Sequence, residues 1–158
     1  MKRSHLRRRC QLELLFGTNV REYGQLVGRL AGFELDSTTH RVLSIFISGD
    51  GELGNHVVMR PFASVLPEPG EIDIRPYTQS EDRRDREGLV LGHATRIVRS
   101  GREVGRLAGA DVAVGTGDLE AVVGRRSWWT RRFTIPAKGI DLSVPGEVRT
   151  PGSGSRAA

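Results

Sequence analysis

The chain has 158 residues, a formal charge of +5, 37% hydrophobic residues and a single cysteine, Cys10. One cysteine excludes an internal disulfide and a cysteine-based metal site and fits a reducing cytoplasm, and no apolar stretch reaches the ~18 to 20 residues of a membrane helix. The charge is local: Lys2, Arg3, Arg7, Arg8 and Arg9 supply five positives, leaving 19 basic against 19 acidic residues. A basic arm, residues 1–11, thus precedes a neutral body. Such an arm reads either as a solvated terminus or as a tether to phosphate or anionic lipid, whereas a nucleic-acid-binding domain carries a basic face.

After the arm, residues 12–16 follow positive charge as a signal peptide would, but the run is short and contains Glu13. It reads as a strand. A second strand is predicted over 20–23, closed by Gly24, where a hairpin turn needs a positive φ. Then comes the phrase Gly24-Gln25-Leu26-Val27-Gly28-Arg29-Leu30-Ala31, which returns 77 positions on (24 to 101) as Gly101-Arg102-Glu103-Val104-Gly105-Arg106-Leu107-Ala108, with Gly32 and Gly109 closing both copies. The chain is a tandem duplication. Gly28, Gly32, Gly105 and Gly109 fall in or beside the next strand, where glycine serves a bulge, a bend or the close approach of another backbone. A phosphate-cradling loop would need a helix N-terminus and a P-loop lysine, and neither follows here.

The remaining alternating runs predict strands over 27–35, 42–48, 56–60 and 71–75 in the first copy. The second copy repeats the set over 89–91, 96–99, 104–112, 119–125, 129–135 and 147–149. Asp36 and Asp118 sit in the turns between the long strands and read as turn-capping residues. Residues 77–88 are polar with mixed charge and read as a linker; residues 150–158 have nothing to bury and read as a disordered tail. The domain expectation is an arm over 1–11, a first repeat over 12–76, the linker, a second repeat over 89–149 and the tail.

This pattern resembles the PRC-barrel family, which includes the cytoplasmic domain of the reaction-centre H subunit and the C-terminal domain of a ribosome-maturation factor. The residues that carry the resemblance are Gly24, Val27-Gly28-Arg29-Leu30, Asp36, the strand 42–47 and Pro61-Phe62-Ala63-Ser64-Val65 in the first copy. In the second they are Gly101, Val104-Gly105-Arg106-Leu107, the strand 119–123 and Ile135-Pro136-Ala137-Lys138-Gly139-Ile140. The resemblance implies an all-β chain of two small tandem barrels with a binding or adaptor habit. It supplies no catalytic residue. Since each copy is small, the halves are expected to dock as a pseudo-twofold pair that buries shared apolar surface.

The two copies differ most between their fourth and fifth predicted strands. There the second copy has Arg125-Arg126-Ser127-Trp128-Trp129-Thr130-Arg131-Arg132, with both tryptophans of the chain, where the first has the acidic Ser48-Gly49-Asp50-Gly51-Glu52-Leu53-Gly54-Asn55. Arginine-flanked aromatics stack on bases, sit at lipid surfaces or anchor protein interfaces, and they also cover barrel ends. Arg125, Arg126, Trp128, Trp129, Arg131 and Arg132 are therefore the candidate partner-binding residues. His5, His40, His56 and His93 are scattered, no His-x-x-x-His pair occurs, and no serine or cysteine has a credible base beside it, so no catalytic, metal or cofactor site and no small-molecule substrate is expected. The expected function is a non-enzymatic cytoplasmic adaptor or scaffold with a protein partner. The alternatives are association with RNA or a ribosomal particle and, through the arm, peripheral binding to anionic membrane.

Overall fold

The computed structural model describes residues 11–54, 56–66, 71–75, 88–127 and 130–151. In the first half, β1 (Gln11–Leu15) and β2 (Asn19–Glu22) lead into a long β3 (Gln25–Asp36), followed by β4 (Val42–Ser48) and β5 (Val58–Pro61). A single 3-10 turn (Phe62–Ser64), β6 (Val65–Leu66) and β7 (Ile72–Ile74) complete that half. The second half repeats the order as β8 (Gly88–Gly92), β9 (Arg96–Arg99), β10 (Arg102–Ala113), β11 (Leu119–Arg125), β12 (Arg132–Pro136) and β13 (Glu147–Thr150). Thr150, expected in the tail, belongs to β13. The counterpart of β6 is a lone bridge between Asp141 and Arg149. Gln11, expected in the arm, opens β1, and Gly88, expected in the linker 77–88, opens β8; the rest of the arm and of the linker, and residues 152–158, lie outside the described residues.

The described residues are all-β, arranged as two mixed sheets. One runs β12-β11-β10-β9-β13 with β1 added on β10, and the other runs β5-β4-β3-β2-β7-β6 with β8 added on β3. Neither sheet closes on itself by hydrogen bonds among the described residues. The second of them is nevertheless strongly curled. Arg60 on the edge strand β5 comes within 3.7 Å of Glu22 on β2, although β4 and β3 lie between them in the hydrogen-bonded order.

Turn chemistry explains the hairpins. Tyr23 and Gly24, and likewise Ser100 and Gly101, stand at φ of 53, 75, 52 and 77°. Positive φ at both central residues is the type I′ pattern whose twist matches that of the flanking strands. At the far end of β3, Asp36 Oδ1 accepts from the backbone N–H of Thr38 and Thr39 at 2.8 and 2.9 Å, as a turn-capping aspartate does. Asp118 is held by Thr116 of its own turn and also reaches across to the other half. Its carboxylate accepts a hydrogen bond from Arg41 Nε at 2.8 Å, which ties the turn of one half to the turn of the other.

The halves meet by exchanging strands rather than by packing two finished faces. β1 leaves its own repeat and pairs with β10, Leu14 opposite Ala110 and Leu15 opposite Gly109; β8 does the same on β3, Leu91 opposite Phe33 and Gly92 opposite Gly32. Gly32 and Gly109 permit this close approach. A Cβ at Gly109 would lie 2.1 Å from Leu14 O, and one at Gly32 would lie 2.5 Å from Leu91 O. Both glycines follow a register shift in their long strand, after Leu30 and after Leu107, where an extra residue bends the strand. The buried side chains form one apolar cluster drawn from both halves, with Leu14, Val20, Leu30, Phe33, Leu35, Ile45, Ile97, Val112, Val122 and Val148 fully enclosed.

Candidate functional site

Strand register builds an arrangement that spacing along the chain conceals. Arg96 on β9 stands opposite Arg106 on β10, Arg106 opposite Arg125 on β11, and Arg125 opposite Arg132 on β12. Directly opposed side chains share a sheet face about 4.5 to 5.5 Å apart, so four arginines form one row across four adjacent strands. The repeat-one counterparts of the first three are Asn19, Arg29 and Ser48, themselves in register. The row is thus peculiar to the second half.

Part of the row walls a groove of about 590 Å³ where the two halves meet. Leu15, Phe16, Leu107 and Ala108 give it an apolar floor, and Arg106, Arg125, Arg126 and Arg132 stand around it with His93, Ser127 and the Gly17-Thr18 turn. Phe16 is braced from behind by Phe33, their ring centroids 5.6 Å apart. A smaller depression of about 430 Å³ adjoins it, lined by Arg102, Glu103, Val104, Gly105, Arg106 and Arg126. Arg106 and Arg126 border both and are exposed.

Carboxylates offset some of this charge at the rim. Glu13 lies 3.3 Å from Arg132, Glu103 lies 3.7 Å from Arg106, and Glu147 takes Arg96 at 2.8 Å. The first two pairs are largely exposed, so each contributes little to stability and yields readily to another anion, whereas the Glu147 carboxylate is mostly buried. The loop after β11 is pinned at its ends: Ser127 N–H donates to Thr130 Oγ1 at 2.9 Å, and Thr130 Oγ1 donates to Ser127 O at 2.8 Å.

Among the expected partner-binding residues, Arg125, Arg126 and Arg132 come together at the groove, and Arg131 is exposed in the segment leading into β12. Trp128 and Trp129 lie outside the described residues. Sequence reading missed Arg96 and Arg106. Both sit in ordinary strand contexts, and only the register of β9, β10 and β11 aligns them with Arg125. Of the six singled-out glycines, Gly24 and Gly101 occupy the hairpin turns, Gly32 and Gly109 face the exchanged strands, and Gly28 and Gly105 lie against the carbonyls of Ser48 and Arg125 at the ends of β4 and β11.

The same region of the first half is covered by its own chain. Asp50 Oδ1 accepts from Glu52 N–H at 3.0 Å and from Ser48 Oγ at 3.1 Å, which folds the loop back and holds the Asp50 carboxyl below its ordinary range. Glu52 then reaches to 3.9 Å from His93, and Leu53 lies over Gly32 and Gly92, where added Cβ atoms would stand 3.2 and 2.6 Å from its Cδ1.

Among the described residues no group of three or more His, Cys, Asp or Glu side chains could hold a metal ion, and no helix is long and apolar enough to cross a membrane. The arrangement is an apolar trough with a cationic wall. No family model matches the chain, and no curated protein matches it.

Proposed function

We propose that this chain is a non-enzymatic cytoplasmic adaptor or scaffold, built from a pair of PRC-type barrels, that holds an anionic protein partner at the groove between its halves. The row Arg96, Arg106, Arg125 and Arg132 carries the reading. Like charges directly opposed on a sheet face repel, and an anion laid along them removes that cost. The apolar floor beside the row adds the hydrophobic contact that gives protein interfaces most of their affinity. The curl that brings Arg60 to Glu22 supports the barrel reading, since a sheet rolled that far nearly meets itself. The lone Cys10 favours a reducing compartment.

Affinity purification followed by mass spectrometry, comparing wild type with Arg106→Glu/Arg126→Glu, tests it. Both side chains are exposed, so the variant is expected to fold while losing the partner that wild type recovers. Equal recovery of every partner by both proteins would defeat the reading. Association with RNA or a ribosomal particle is the second reading, favoured by the same arginine row. Co-sedimentation with ribosomal particles at low salt would support it, and absence from those fractions would remove it.

A further inference from the structure

Resting on the reading of the groove as a protein-binding site, we infer that its ligand is a short acidic segment carrying a leucine or similar apolar anchor, of the kind that the chain's own Asp50-Gly51-Glu52-Leu53 already presents to the corresponding region of the first half. The duplication supplies the template. Leu15, Phe16, Gly17, Thr18, Arg106 and Leu107 line the open groove. Their counterparts are Gly92, His93, Ala94, Thr95, Arg29 and Leu30. In the first half this surface is met by the acidic loop: Leu53 rests on Gly92, Glu52 lies beside His93, and an added Cβ at Gly51 would be 3.5 Å from Arg29 Cβ.

The second half changes both partners of that contact. Its loop begins Arg126-Ser127 in place of Gly49-Asp50, so it no longer brings its own carboxylates. Its wall gains Arg125 and Arg132, and its floor gains Leu15 where the first half has Gly92. A surface that takes an acidic, leucine-bearing loop in one copy has thus become more cationic and more apolar in the other, which matches an acidic and apolar segment supplied from outside. An RNA strand would satisfy the arginines but would leave the floor of Leu15, Leu107 and Ala108 without an apolar partner.

The test uses full-length protein and a fluorescent synthetic peptide copying residues 47–55, read by anisotropy at low and at physiological salt. Saturable binding is expected. It should weaken about tenfold when the peptide leucine is replaced by alanine, the loss that follows from withdrawing a buried leucine side chain, and about fivefold or more when the protein carries Arg126→Glu. Equal affinity for the leucine and alanine peptides would overturn the inference by reducing the contact to charge alone. So would displacement of the peptide by a short oligouridylate together with tighter binding of that RNA. Counting from the shared proline backward (Pro61 and Pro136), Trp128 is the sequence counterpart of Leu53. Binding seen only in Trp128→Ala/Trp129→Ala would therefore assign the groove to the chain's own loop and also overturn the inference. A partner recovered by wild type and lost by Arg106→Glu/Arg126→Glu, with no binding of the peptide, would leave the adaptor reading standing and remove this one.

Discussion

Asp111 illustrates how the strand exchange shapes a single residue. It lies half-buried on β10 opposite Glu13 of the visiting β1, with Glu120 nearby. Burial first, then the charges of Glu13 and Glu120, push its carboxyl above the ordinary range, while Arg132 pulls the other way. A folded-state pKa above the unfolded value means that the native state binds this proton more tightly. The contribution of Asp111 is therefore most favourable in acid and is lost as pH rises through its raised pKa. Asp111→Asn should accordingly raise the melting temperature at pH 7 by about 1 to 3 °C, with the gain shrinking toward pH 4; thermal melts at both values check it. Gly109 offers the converse case. Because an added Cβ would meet the backbone of Leu14 and Leu15, Gly109→Ala should cost about 2 to 3 kcal/mol in urea denaturation. Gly101→Ala, at φ +77 with nothing within 4 Å, should cost only about 1 kcal/mol.

Elements were more legible in the sequence than their partners. Alternation and the duplicated phrase place strands over 96–99 and 119–125 as they stand in β9 and β11, because a half-buried strand must alternate whatever it pairs with. The short β6 escaped because two residues carry no period. The destination of β1 and β8 was hidden for a different reason: an exchanged strand and a home strand bury the same residue types, and nothing local says whose sheet they complete. The same gap concealed the arginine row, which exists only across register. Arg125, Arg126 and Arg132 were found because they cluster along the chain, whereas Arg96 and Arg106 were not. The exchange also makes β1 more than a terminal ornament. Removing residues 1–15 withdraws buried Leu12 and Leu14 and uncovers the edge of β10 at 109–113, at a cost of at least about 4 kcal/mol. The truncated protein is expected to elute as aggregate in size-exclusion chromatography, since an open apolar edge invites pairing. A monomer as stable as wild type would contradict the role given to β1.

At the scale of the whole molecule, one apolar cluster spans both halves, so unfolding should be a single cooperative transition by fluorescence and circular dichroism alike. Residues 1–76 and 88–158 expressed apart should each lack a strand of their own sheet and should combine one to one when mixed. Two monomeric fragments, each as stable as the intact protein and without mutual affinity, would be incompatible with the exchange.

The contact between Arg41 and Asp118 bears on which fragments would choose each other. These residues are separated by the repeat length of 77 and bridge backbone to backbone, so each faces its own counterpart. Two copies of the first fragment would bring Arg41 against Arg41, and two copies of the second would bring Asp118 against Asp118. Only the mixed pair sets opposite charges together. The position acts as a password that identical halves cannot give: in native mass spectrometry the mixed dimer should outnumber either self-pair by a few-fold, and Asp118→Arg should erase that preference. Duplication within one chain thereby permits a distinction that a symmetric dimer could not make, since a residue on a twofold axis can meet nothing but itself.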